Sequence, residues 1–205
     1  MDPRPVIVAM DLEGVLVPEI WINVADRLGI PELRRTTRDE PDYDVLMRYR
    51  LDILDRHGID LTAIQAVIAD IAPLPGARDY VAWVRERAQL IILSDTFYQF
   101  AGPLMAQLDR PTLFCHDLEI NEAGRITGYR LRLPDQKRAS VLALRELNFR
   151  VIAFGDSYND TSMLAVADRG LLFRPSPATA RDFPQYTVLD DYAGVRAAIE
   201  AFLAS

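Results

Sequence analysis

The stretch VIVAMDLEGVLV, Val6–Val17, limits what this chain can fold into more than any other part of it. It opens with the apolar run Val6–Met10 and turns abruptly to Asp11, Glu13 and Gly14. A short run rich in β-branched residues fits a strand buried on both faces, as in a parallel sheet. Carboxylates at the carboxyl end of such a strand stand where open α/β sheets hold their ligands. Two acids this close repel each other unless a metal, a cation or a shared proton relieves them.

The rest of the chain continues the α/β theme. Buried-strand runs recur at Leu90–Leu93, Thr112–Cys115, Val151–Phe154 and Gly170–Phe173. Helical periodicity lies between and after them, at Arg78–Arg87, Phe100–Leu108, Lys137–Leu147, Asn159–Ala167 and Asp191–Leu203. Leu118–Ile120 and Ile126–Leu133 flank the turn-like Asn121–Arg125 and read as a β-hairpin. This alternation predicts an α/β fold with a doubly wound, Rossmann-like parallel sheet. Between the first strand and the next α/β unit come three amphipathic helices, Glu19–Leu28, Asp42–His57 and Leu61–Ala72, broken by Gly29, Gly58 and Pro73. Residues 18–74 are therefore expected to form a small helical cap, with residues 1–17 and 75–205 forming the core.

Composition narrows the function. Half of the 205 residues are hydrophobic, enough for a sizeable core, and the formal net charge is −7. An acidic chain lacks the basic patch that a nucleic acid or an anionic membrane surface requires, so neither is an expected partner. A pocket that is locally positive can still take an anionic small molecule. The single cysteine, Cys115, rules out an intrachain disulfide. With no apolar run near membrane-spanning length and no signal-peptide pattern at the start, the expected location is the cytoplasm.

Four polar clusters fall where a doubly wound sheet would gather them. Asp11 and Glu13 follow the first strand, Ser94 and Thr96 the second, and Asp156 and Asp160 the run Val151–Phe154. Lys137 opens a helix that can reach the same edge. Singly, Ser94 reads as a turn cap, Lys137 as a solvated helix residue and Asp156 as an N-cap. Jointly they make a site, because convergent roles are what define one. Asp11, Glu13 and Asp156 are hard oxygen donors suited to Mg²⁺. A carboxylate can also attack phosphorus. Ser94 supplies a hydroxyl for a phosphate oxygen, and Lys137 a point charge for nucleophile and phosphate. Asp160, one helical turn after Asp156, can support Lys137 or a metal-bound water from behind.

Asp11-Leu12-Glu13-Gly14-Val15-Leu16, Ser94, Lys137 and Gly155-Asp156-Ser157-Tyr158-Asn159-Asp160 resemble the four motifs of the haloacid dehalogenase-like phosphatases, in chain order. The resemblance covers nearly the whole chain. DLEGVLVPEIW, PDYDVLM, ILSDTFY and GDSYNDT resemble, more narrowly, the bifunctional phosphoserine phosphatase/homoserine phosphotransferase group.

The resemblance implies a two-step phosphoryl transfer from a phosphorylated amino acid. Asp11 is the implied nucleophile and Glu13 the implied acid and base. Mg²⁺ is the implied cofactor, bound by Asp11, Asp156 and the main-chain carbonyl of Glu13. Glu19 and Arg50 stand where such enzymes hold the amino-acid part, with Glu19 facing the ammonium and Arg50 the carboxylate. Arg48 is the rival to Arg50. Ser94, Asp95, Thr96 and Asn159 complete the implied substrate site, and homoserine is a second implied acceptor. Two departures stand out. Glu13 replaces the usual aspartate, and Asp95-Thr96 replaces the glycine pair that commonly follows the serine of the second motif.

Other readings are kept beside this one. The same chemistry on another small phosphomonoester is the nearest. A receiver-like regulatory module, phosphorylated on aspartate as a signal, is the rival from a different class, though a receiver needs no cap to enclose a small substrate. His57 and His116 are expected to be structural and away from the cluster, Cys115 a buried strand residue, Trp21 and Trp83 packing residues, and Asp190-Asp191 a turn or helix start.

Overall fold

The computed structural model describes residues 2–37, 39–40 and 42–205. Pro41, the first residue of the PDYDVLM segment, lies outside them. The fold is α/β as expected. Seven strands form one sheet: β1 (Val6–Met10), β2 (Gln89–Phe97), β3 (Thr112–Ile120), β4 (Ile126–Arg130), β5 (Arg150–Gly155), β6 (Arg169–Phe173) and β7 (Thr187–Leu189), in the order β4-β3-β2-β1-β5-β6-β7. Every pairing is parallel except β3 with β4.

Strand β1 is central, and the winding reverses there, with β2 on one side and β5 on the other. Its Met10 is level with Ile92 of β2 and Phe154 of β5. The residues just beyond those positions therefore leave the sheet along one edge, at the switch point where open α/β sheets bind ligands.

Alternate side chains of the central strands pack to opposite faces. Val8, Met10, Ile92, Ile152 and Phe154 join one core with helices α1 (Ile20–Leu28), α4 (Ala77–Arg85), α5 (Tyr98–Gln107) and α9 (Tyr192–Ala204). Ile7, Ala9, Leu93, Val151 and Ala153 join a second core with α6 (Gln136–Glu146) and α7 (Thr161–Val166). Each large apolar side chain so withdrawn from water is worth roughly 1.5–3 kcal/mol, which makes the loaded sheet edge a stiff platform.

Between β1 and α4 lie α1, α2 (Tyr43–Arg56) and α3 (Leu61–Ala69), with a short 3₁₀ turn at Pro31–Arg34. Asp42 caps α2 by accepting from the Val45 amide at 3.1 Å, and Asp60 caps α3 by accepting from Ala63 at 2.8 Å. The β3–β4 hairpin holds this region from outside. Tyr129 hydrogen-bonds Asp44, Arg125 pairs with Asp55 at 2.5 Å, and the Leu61 amide donates to the Gly124 carbonyl at 3.0 Å.

Several element readings are corrected. β2 runs on through Ser94 and Thr96 to Phe97, with an irregularity in its pairing to β3 between Leu93 and Phe97. Thr112–Cys115 and Leu118–Ile120 are one strand, because the polar His116-Asp117 between them continues the ladder. The third helix ends at Ala69, and Asn159–Ala167 divides into a 3₁₀ turn at Tyr158–Asp160 and α7. A short helix α8 (Pro177–Asp182) and strand β7 were not anticipated. Among the described residues no helix is long and apolar enough to cross a membrane.

Candidate active site

Asp11 follows β1, and its amide donates to the Phe154 carbonyl of β5 at 3.1 Å. The next turn is tight. Leu12 N donates to Asp11 Oδ1 at 2.7 Å, Leu16 and Val17 both donate back to the Leu12 carbonyl, and Gly14 N donates to the Val17 carbonyl at 2.8 Å. Gly14 has φ 74°, and a Cβ there would stand 2.6 Å from the Asp156 carboxyl. Glycine is thus required twice over, for the left-handed backbone and for the close approach of Asp156. Gly155 allows the same close approach for Asp160, whose carboxyl would lie 2.3 Å from an added Cβ.

Lys137, in the first turn of α6, is buried among three carboxylates. Its Nζ lies 2.7 Å from Asp160 Oδ1, 3.0 Å from Asp11 Oδ1 and 3.7 Å from Asp95 Oδ2. Burial opposes the ammonium, but Asp11, Asp160 and Asp95 overcome that and raise its pKa well above the usual lysine value. Burial pushes the Asp11 carboxyl up against the pull of Lys137, with repulsion from Asp160, Asp156 and Asp95 adding to the rise. Glu13 accepts from the Ile20 amide at the start of α1 at 2.8 Å. Its carboxyl is pushed up to about 7 by burial and by repulsion from Glu19.

Asp11, Asp156 and Asp160 each present a carboxylate oxygen within 4.8 Å of the others, all buried. One ammonium does not balance three such carboxylates, and hard oxygens in this arrangement suit a divalent cation. Asp160 is differently engaged from the other two. Its Oδ1 accepts from Lys137, and its Oδ2 accepts from the amides of Asp156 at 3.0 Å and Ser157 at 3.1 Å. Asp11 and Asp156 could therefore hold a cation directly, with Asp160 behind them.

A cavity of about 80 Å³ is lined by Asp11, Glu13, Glu19, Arg50, Ser94, Asp95, Thr96, Lys137, Asp156 and Asn159. The structure thus brings every sequence-predicted site residue to one cavity except Asp160, which is fully buried beneath it. Ser94 is buried on β2, its Oγ accepting from the Thr96 amide at 3.3 Å. Asn159 Nδ2 donates to Asp95 Oδ2 at 2.9 Å. A wider cleft of about 820 Å³ adjoins this cavity and shares Tyr43, Asp95, Lys137 and Asn159 with it.

Arg50 and Arg48 are two residues apart on α2 and face opposite ways. Arg48 is exposed and donates to the Asp44 carbonyl at 3.2 Å. Arg50 is buried, its guanidinium 4.5 Å above the Trp21 ring and its Nη2 donating to the Arg35 carbonyl at 2.8 Å. Its Nε has no hydrogen-bond partner, and among the described residues no ion pair joins Arg50 to a carboxylate. Burial pulls its pKa down to about 10.

Three residues at the site were not anticipated as part of it. His116, expected to lie away from the cluster, has its Nε2 3.5 Å from Asp95 Oδ1, because the β2–β3 pairing sets Phe97 opposite His116. Tyr43 donates from its hydroxyl to the Asp95 carbonyl at 2.9 Å. Gln136 hydrogen-bonds the Ser94 carbonyl through its side-chain amide. Tyr43 lies within PDYDVLM, and Gln136 directly precedes Lys137. His116 carried no sequence signal, since only the strand register brings it to Asp95.

Comparison with known proteins agrees with this geometry. Residues 23–165 match the family model described as haloacid dehalogenase-like hydrolase. A protein of Pseudomonas aeruginosa named phosphoserine phosphatase ThrH is 56% identical over 190 residues, 93% of each chain. A phosphoserine phosphatase of Pseudomonas syringae pv. tomato is also 56% identical, over 91% of this chain and 78% of its own length. In fold, the chain is similar to the phosphoserine phosphatase of T. onnurineus, with a TM-score of 0.67, 24% identity and 94% of both chains covered. It is likewise similar to a substrate-bound phosphoserine phosphatase, with a TM-score of 0.75, 16% identity and coverage of 92% of this chain and 94% of the other. A family match over more than half of its length, joined to relatives of this identity and coverage, makes the chain a member of the haloacid dehalogenase-like hydrolases.

Proposed function

We propose that this protein is a Mg²⁺-dependent phosphoserine phosphatase that works through an aspartyl phosphate on Asp11 and can also pass the phosphoryl group to homoserine. The observation that carries the reading is Arg50, a buried cation without a carboxylate partner among the described residues, in the same small cavity as Asp11, Ser94 and Lys137. A phosphate beside Ser94 and Lys137 and an α-carboxylate on Arg50 together describe a phosphorylated amino acid. Glu19 on the same wall suits the ammonium. The names of the two Pseudomonas relatives support the same substrate.

Residues 18–74 act in this reading as a cap that closes the cavity, with residues 1–17 and 75–205 as the catalytic core. In the first step a carboxylate oxygen of Asp11 attacks phosphorus, and the bond from phosphorus to the serine oxygen breaks. Glu13, held by the Ile20 amide, gives its proton to that leaving oxygen. Lys137 keeps the Asp11 carboxylate oriented, and the Ser94 hydroxyl donates to a phosphate oxygen. In the second step water gives a proton to the Glu13 carboxylate and attacks phosphorus, and the bond to Asp11 breaks. Mg²⁺ held by Asp11, Asp156 and the main-chain carbonyl of Glu13 would neutralise charge on the phosphate oxygens. Homoserine has the α-amino and α-carboxylate groups of serine and one more methylene, so Glu19 and Arg50 can hold it with its hydroxyl toward Asp11. It then replaces water in the second step.

The test is ³¹P NMR of enzyme, Mg²⁺ and phosphoserine with rising homoserine, beside a panel of other small phosphoesters. The reading expects phosphoserine to be the preferred ester and a phosphohomoserine signal to grow at the expense of free phosphate. Free phosphate alone at saturating homoserine removes the transferase part. A different preferred ester removes phosphoserine.

A further inference from the structure

Asp95 is an odd neighbour for a phosphate. It stands beside Lys137 and Ser94 on the cavity wall, where a carboxylate would repel an anionic substrate. The structure turns its oxygens away from that conflict and onto donors. Oδ2 accepts from Asn159 Nδ2 at 2.9 Å and lies 3.7 Å from Lys137 Nζ. Oδ1 faces His116 Nε2 at 3.5 Å. His116 Nδ1 accepts from the Arg132 amide at 3.1 Å, so its lone pair is there and the ring proton sits on Nε2, the atom nearest Asp95.

The histidine ring is itself fixed. It is buried, with Tyr43 packed against it at 6.1 Å between centroids and Phe97 at 6.3 Å. Tyr43 also holds the Asp95 main chain from the first residue of α2, the helix that carries Arg50.

We infer that Asp95 and His116 are a pair of positioning residues: His116 orients the Asp95 carboxylate, which in turn orients Asn159 and Lys137 at the phosphate end of the cavity. The inference rests on the proposed role of Asp11 and Lys137 in phosphoryl transfer. Burial pushes the Asp95 carboxyl up, yet Lys137 and the N–H groups of His116 and Asn159 override it and hold the group well below the usual carboxylate range, as such a pair requires. Without the His116 N–H, the carboxylate is free to turn toward the phosphate, and Asn159 and Lys137 lose a fixed partner.

The pair acts on the phosphoryl group and not on the amino-acid part. His116→Phe should therefore lower kcat about tenfold on both phosphoserine and p-nitrophenyl phosphate, the size expected for losing an oriented contact to a charged group, with KM for phosphoserine changed less than kcat. His116→Gln restores an N–H near the position of Nε2 and should recover most of the loss. His116→Phe combined with Asp95→Asn should be no worse than the more damaging single variant, because the two changes break one chain of contacts.

A readout independent of turnover comes from NMR. The chain has two histidines, so His57→Gln assigns the His116 ring. The expected result is an Nε2-protonated tautomer and an Asn159 side-chain amide signal that moves in both His116→Phe and Asp95→Asn. Independent, multiplicative losses in the double variant, or a well-folded His116→Phe with wild-type kcat, would overturn the pairing. So would an Asn159 amide signal that stays in place. Should the wild type hydrolyse neither ester, the proposed function fails, and the tautomer and amide signals still decide the Asp95–His116–Asn159 arrangement.

Discussion

Asp160 Oδ1 lies 2.7 Å from Lys137 Nζ, and neither side chain is more than 3% exposed. Removing Asp160 takes one carboxylate from Lys137, which keeps Asp11 at 3.0 Å as a partner. The main loss falls on the Asp156 and Ser157 amides, which donate to Asp160 and are left without that acceptor. Asp160→Ala should lower the unfolding free energy by about 2–4 kcal/mol in urea titrations, the size expected for buried amides left without an acceptor. Asp160→Asn, which keeps an acceptor for those amides, should lose less. Equal stability of Asp160→Ala and wild type would show that the pair holds nothing together.

The parts legible in the sequence were those with a local cause. Val6–Met10 read as a buried strand because nothing polar interrupts it, and Asp11, Ser94, Lys137 and Asp156 stood at the ends of such runs or at a helix start. What could not be read depended on distant pairing. Ser94 and Thr96 lie inside β2 because the strand continues past its polar residues to Phe97. His116 looked like a break between two strands, whereas its pairing opposite Phe97 keeps β3 whole and brings the ring to Asp95. The α8 and β7 segments are short, with Pro177 opening α8 and Pro175 and Pro184 on either side of it, so their periodicity is too brief to register.

Arg50 should govern recognition of the amino-acid part. Arg50→Ala should raise KM for phosphoserine roughly 10- to 100-fold, the loss expected for a charged hydrogen bond, and change KM for p-nitrophenyl phosphate far less. Arg48→Ala, on the outer face of α2, should change neither. Equal effects of Arg50→Ala on both esters would assign it to the phosphate or to the packing over Trp21.

Removal of divalent metal should abolish turnover. Dialysis against EDTA is expected to stop phosphate release, and Mg²⁺ to restore it. Because a cation bound only by the native state stabilises that state, Mg²⁺ should also raise Tm. Asp156→Ala should lose that rise, and Asp160→Ala should keep more of it, since the Asp160 oxygens are occupied by Lys137 and two amides. Full activity after EDTA would contradict the metal reading.

Cys115 is buried in β3, and burial pushes its thiol up to about 12. At pH 8 almost no thiolate is present, and the thiolate is the reactive form. A thiol reagent such as Ellman's should label the native protein very slowly and the urea-unfolded protein at once. Rapid stoichiometric labelling of the native state would show that the strand opens readily.

The central claim is that the phosphoryl group passes through Asp11. The most direct measurement is acid quenching of the wild-type enzyme during turnover of phosphoserine with Mg²⁺, followed by intact mass and peptide mapping. The account predicts a species heavier by one phosphoryl group, with the modification on Asp11 and absent from Asp11→Asn. A phosphoryl group mapped to another residue, or a folded Asp11→Asn protein that still turns over phosphoserine, would contradict it.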